Sequence, residues 1–234
     1  MTAQALPQVS RASQFRRGLK AILPILLAVA PFGMIYGALA RQSGLSAAAA
    51  QSMSFIVFAG SSQFVTTQLV SQLIPGLVIV LTIFVVNLRH ALYSASVAPY
   101  LQRLPARWKA GLAYLLTDEA YAVSILHFEK EGSSGNQHWF LFGAGLGLWT
   151  CWQLSTMAGI LLGAVIPAGW SLDFALPLTF IALIVPALKD RAGVAAALVA
   201  GVAGVIAFAL PYKLGIITAA LVGVAAGMLV EGKK

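Results

Sequence analysis

Three polar groups sit where side chains of their type are costly to keep. Arg89, with Asn87 and His90, lies inside one long apolar stretch. Asp118 and Glu119 form the centre of another, and Gly60-Ser61-Ser62-Gln63 interrupts a third. A charge at the centre of a membrane helix costs roughly 2.5–3.5 kcal/mol on insertion scales, so unpaired placement is disfavoured. Arg89 is expected to pair with Asp118 or Glu119, because a guanidinium can grip a carboxylate at two points. Two acids face one arginine, and the carboxylate left over is an element that can carry a proton. Asn87 and His90, at i and i+3, share one helix face. At 60–63 a broken helix frees backbone N–H groups at the start of the helix from Phe64, a site for an anion such as a small carboxylate. The same residues also suit a structural ion pair and a polar kink bonded to neighbouring helices.

The elements that must hold these groups follow from the composition. Charged residues make up 9% of the 234 residues and hydrophobic residues 59%. Soluble domains carry roughly 25% charge, so too little polar surface remains for a water-facing fold. This excludes a soluble enzyme and a disordered chain, and also a nucleic-acid reader despite the net charge of +8. The apolar runs are continuous rather than alternating, against a β-barrel. The expected class is an all-α integral membrane protein with about six to eight spans, some of them broken or re-entrant.

Residues 1–17 read as a flexible tail and 18–234 as a single membrane domain. The first span is 21–40, which continues too far to be a cleaved signal peptide. Between Arg41 and Arg89 no charged residue occurs. As one helix that stretch would be about 70 Å long, so it must turn back, with breaks at 60–63 and at Pro75-Gly76. Further segments are expected at 76–101, 110–128, 139–166, 172–188, 192–210 and 214–230. A weak repeat relates Gly33, Gly37, Ala38, Gly44 and Ser46 to Gly159, Gly163, Ala164, Gly169 and Ser171, suggesting halves 18–128 and 139–232. If 46–72 and 172–188 are re-entrant, the basic groups near the N-terminus, at Arg103, Arg107 and Lys109, at Lys189 and Arg191, and at the C-terminus all fall inside. In that topology 110–128 crosses fully, the acidic 129–131 loop falls outside, and the halves are inverted, a transporter design.

Cys151 is the sole cysteine, which excludes an intrachain disulfide and reads as packing. His127 and His138 read as interface residues. The Gly143/Gly147 and Gly223/Gly227 pairs allow close helix approach, within the chain or to a partner. No metal-ligand spacing, nucleophile motif or cofactor motif is present.

The motifs FAGSSQF (58–64), NLRHALYS (87–94) and LTDEAY (116–121), with LPLTFIALIVP (176–186), resemble the AzlC family of branched-chain amino acid permeases. The resemblance covers nearly the whole chain from about residue 18. It implies a multi-pass protein of the bacterial inner membrane that exports branched-chain and related neutral amino acids. It also implies a small AzlD-type membrane subunit and a proton gradient as driving force, while the cytoplasmic N-terminus follows from the placement of the basic groups. It carries over Gly60, Ser61, Ser62, Gln63, Asn87, Arg89, His90, Asp118 and Glu119. In the reading that follows, 60–63 and Arg89 hold the substrate carboxylate, and Asp118 or Glu119 meets its ammonium while the other cycles a proton. Phe55, Phe58 and Phe64 line the side-chain pocket. The competing readings are an importer using the same site, a structural or regulatory membrane subunit, and a membrane enzyme.

Overall fold

The computed structural model describes residues 10–131, 136–163, 188, 190–210 and 214–232. Among these residues the protein is all helix and turn, with no strand. The expected segment 172–188 and the second copy of the repeat beyond Gly163 lie outside the described residues, save Leu188. The chain groups into two compact units, residues 1–67 with 87–166 and residues 68–86 with 167–234.

Helix α1 (Arg11–Gln42) is capped by Ser10, whose Oγ accepts from the Ser13 N–H at 3.3 Å. It therefore takes in residues 11–17, which the sequence placed in a tail. Pro24 and Pro31 sit inside it, tolerated because packing against α7 (His138–Gly163) holds the helix. The two run parallel. Gly18 lies against Phe140, Gly33 against Ser155, and Gly159 and Gly163 against Met34 and Ala38. A Cβ at Gly18, Gly37, Gly143 or Gly159 would run into partner backbone. Small residues thus let the backbones touch, the source of attraction where lipid offers no hydrophobic gain. The repeated glycine pairs Gly33/Gly37 and Gly159/Gly163 meet at this crossing.

Four half-length helices follow, all in the first unit except the end of α3 after Thr67. The first pair is α2 (Ala47–Val57) and α3 (Gly60–Ser71). Their break is at Phe58-Ala59, where Phe58 adopts a left-handed backbone with φ 37°. The Ala59 carbonyl already accepts the Gln63 N–H at 3.0 Å. Residues 60–63 are therefore the first turn of α3, not the break itself. Ala50 meets the Tyr36 hydroxyl at 2.8 Å, Phe58 reaches a deeper level, and Phe64 is back between Phe32 and Tyr36. The pair enters and returns from the end of α1 that carries Gln42, as expected of a re-entrant segment.

The second pair corrects an expected crossing. Segment 110–128 is not one span but α5 (Ala106–Leu115) and α6 (Asp118–Glu131), broken at Leu116-Thr117. Trp108 packs on His138 and Trp139, while Tyr114 reaches Trp149. On the way back, His127 stacks on Phe140 at 3.8 Å and Arg17 pairs with Glu131 at 2.6 Å. Both ends therefore lie at the N-terminal end of α1 and α7. The acidic 129–131 segment shares a face with the N-terminus rather than lying opposite it. At about 15–21 Å each, these four helices reach about halfway through a membrane core of about 30 Å.

Between the hairpins runs α4 (Gly76–Leu101), a full-length helix. Its residues 89, 93 and 100 meet Asp118, Tyr121 and Phe128 in turn, so it runs towards the N-terminal face. With only α1 and α4 crossing before it, α7 must start in the same direction as α1. The inverted relation between halves needed three crossings there and is not what the first unit contains.

In the second unit, α8 (Arg191–Ile206) and α9 (Leu214–Glu231) pack through Gly223 and Gly227 against Ala196 and Ala200. Gly143 and Gly147 lie against Phe15, Leu19 and Ile22. Both glycine pairs serve packing within the chain. Helices α1, α4, α9, and α8 with the turn after it, are long and apolar enough to cross a membrane.

Candidate functional site

The two breaks place two helix beginnings beside the middle of α4. From the first hairpin come Ser61 and Ser62, in the opening turn of α3. Ser62 Oγ donates to Asn87 Oδ1 at 2.6 Å. Arg89 Nη2 donates to Ser61 Oγ at 2.6 Å. From the second hairpin comes Asp118, whose Oδ2 is 2.6 Å from Arg89 Nη1. The guanidinium is thus the brace between the hairpins, a task its planar fork suits. Of the two acids open to it, Arg89 takes Asp118. Glu119 follows in the same first turn of α6 and makes no ion pair among the described residues. Acids in that turn are favoured by the positive helix end.

The site is incompletely satisfied. Among the described residues, Arg89 Nε, Asp118 Oδ1 and His90 Nε2 are shielded from solvent and have no well-formed hydrogen bond, with the Tyr93 hydroxyl beside the Asp118 carboxylate. Other buried polar groups of the unit are mixed: Ser124 Oγ, Gln63 Nε2 and both amide atoms of Gln137 also lack a partner among the described residues, while others are paired. Ser54 meets Thr156 at 3.2 Å, and Gln153 Nε2 donates to the Ser54 carbonyl at 3.1 Å. Burying polar groups without partners costs free energy, so the open valences at Arg89, His90 and Asp118 mark a place where a ligand could supply them.

The expected site residues divide into two sets. Ser61, Ser62, Asn87, Arg89 and Asp118 are joined directly, with Glu119 and His90 adjacent in sequence. Gly60 and Gln63 turn the other way. Gln63 is buried and its Oε1 accepts from Trp152 Nε1 at 3.0 Å, while Gly60 lies under the Trp152 ring. They position the first turn of α3 against α7. The three phenylalanines do not form one pocket. Phe64 is buried between Phe32 and Tyr36, Phe58 packs on Tyr114, and Phe55 meets Trp149.

Three tyrosines complete the surroundings. The Tyr114 hydroxyl donates to the Phe55 carbonyl and accepts from Trp149 Nε1, tying the tip of one hairpin to the other. Tyr93 stacks between His90 at 5.9 Å and Tyr121 at 4.6 Å. Tyr93 and Tyr121 lie within two of the sequence motifs, which was their signal. Tyr114 lies outside the motifs and carried none.

The chain can now be set beside known proteins. Residues 24–166 match the family described as AzlC protein. An uncharacterized membrane protein of Archaeoglobus fulgidus is 37% identical, covering 92% of this chain and 94% of its own. The inner membrane protein YgaZ of Escherichia coli is 29% identical, covering 92% and 88%. The branched-chain amino acid transport protein AzlC of Bacillus subtilis is 27% identical, covering 73% and 66%. No solved structure matches. The matched residues contain α2 to α6 and every residue of the braced site, and the chain belongs to the AzlC family.

Proposed function

We propose that this chain is the large subunit of a secondary transporter that exports branched-chain and related neutral amino acids across the bacterial inner membrane. The observation that carries the reading is the Arg89–Asp118 pair at mid-depth, between the tips of two hairpins that enter from opposite faces. Discontinuous helices whose beginnings meet at the midplane are a transporter design. The names of the Bacillus subtilis and Escherichia coli relatives support the substrate class and the membrane.

In this mechanism the first turn of α3 offers N–H groups and the Ser61 and Ser62 hydroxyls to the substrate carboxylate, with Arg89 Nε turned to the same charge. Asp118 takes the ammonium group, and Glu119 carries the coupled proton with His90 beside it. Substrate entry separates Arg89 from Asp118, because each of its charges replaces one partner of the pair. The face carrying Arg11, Arg16, Arg17, Lys20, Arg103, Arg107 and Lys109 is cytoplasmic by the positive-inside bias. A small AzlD-type subunit completes the transporter.

Reconstitution into vesicles with an imposed proton gradient tests this, using a panel of amino acids with and without the small subunit. Gradient-driven movement of leucine, isoleucine and valine is expected. Absence of neutral amino acid movement in both preparations would overturn it.

A further inference from the structure

A cavity of about 240 Å³ lies between α4 and α5, away from the braced pair. Its lining includes Ser94, Ala98 and Gln102 on α4, and Lys109, Ala113 and Leu116 on α5. The cavity has polarity at its ends and apolar walls between. Gln102 and Lys109 belong to the N-terminal face, since Trp108 packs on His138. At the other end, Leu116 is two residues from Asp118, and Ser94 follows Tyr93, which stacks on Tyr121. The cavity therefore runs from the basic face to the second hairpin's tip.

Lys109 is the one charged group in the lining, so the chemistry suits a small amphipathic molecule that carries a carboxylate. Lys109 at the mouth offers a cation to a carboxylate. Aliphatic side chains along the walls suit a branched hydrocarbon. The volume lies below the roughly 300–1,000 Å³ of pockets for drug-sized ligands, which fits one amino acid and not a peptide. Continuity with the tip at Leu116 gives the occupant somewhere to go. We infer that this cavity is an entry subsite, in which a neutral branched-chain amino acid binds from the N-terminal face before reaching Arg89 and Asp118. This rests on the transport reading above.

The test uses the full chain with Cys151 replaced by serine, which leaves it free of native thiols. Single cysteines replace Ala98 and Ala113, both exposed along the cavity, and Leu92, which is exposed on α4 but outside the cavity lining. A charged thiol reagent is applied to membranes opened to both sides, with and without saturating leucine, and radiolabelled leucine binding is measured separately. Expected are labelling at both cavity positions, several-fold slowing of that labelling by leucine, and no leucine effect at Leu92→Cys. Lys109→Gln should raise the leucine concentration giving half protection roughly twofold to fivefold, the worth of a solvent-exposed ion pair, and Lys109→Arg should restore it. Cavity cysteines that stay unreactive, or that react equally fast with leucine present, in protein that binds leucine, would overturn the subsite and leave the transport reading standing. Protein that neither binds nor moves leucine would overturn both. Protection by a long-chain fatty acid but not by leucine would show that the cavity holds a lipid chain and would overturn the inference.

Discussion

The two hairpins share an architecture and differ in what they present. Both are pairs of half-length helices, broken at residues 58–59 and 116–117. The first brings the Ser61 and Ser62 hydroxyls on an uncharged helix start, and the second brings two carboxylates. Each tip is incomplete alone. The uncharged tip favours an anion, and the acidic tip, part-exposed at Asp118, favours a cation. Arg89 joins the two tips through Ser61 and Asp118. Two complementary half-sites at the same depth are the arrangement a zwitterion would require.

Removing the brace should have the largest effect. Arg89→Ala is expected to reduce transport about thirtyfold or more, as for truncating one partner of a hydrogen-bonded charge pair. Arg89→Lys should fail to restore it, because an ammonium cannot span Ser61 and Asp118 as the fork does. Leucine uptake by vesicles measures both. Glu119→Gln sharpens the comparison within the acidic tip. It should abolish gradient-driven export while leaving leucine counterflow between loaded vesicles. Equal loss of both would assign Glu119 to binding instead.

Smaller effects test the frame and the neutral tip. Gly37→Leu would drive a side chain into the α7 backbone near Gly159. A loss of about 1–3 kcal/mol or more is expected, read as a lower Tm in detergent, whereas Gly201→Leu, where nothing crowds the position, should leave Tm nearly unchanged. Ser62→Ala removes the bond to Asn87, and about 1 kcal/mol, or about a fivefold rise in KM, is expected. Tyr114→Phe removes the tie between the tips and should change rate more than affinity.

The sequence made the first hairpin readable and hid the second. No charge occurs between Arg41 and Arg89, and a stretch that long has to turn. Segment 110–128 has the length of one crossing, so hydropathy fits a span and a hairpin equally. The deciding fact is the contact of Arg17 with Glu131, made by residues far apart in sequence. Placing the acidic loop on the far face rests only on reading 110–128 as one full crossing. The Arg89 pairing was readable from the cost of burying charge. The split of Ser61 and Ser62 from Gly60 and Gln63 was not, because it depends on α3 starting two residues after Phe58 rather than at Phe64.

One-sided thiol labelling tests the opposed hairpins most directly. Single cysteines would replace Arg41, Arg107 and Glu129 in the Cys151→Ser background, with an impermeant reagent applied to sealed vesicles of known orientation. The expected result is that Arg107→Cys and Glu129→Cys react from one side and Arg41→Cys from the other. Reaction of Glu129→Cys from the same side as Arg41→Cys would make 106–131 a full crossing and contradict the account.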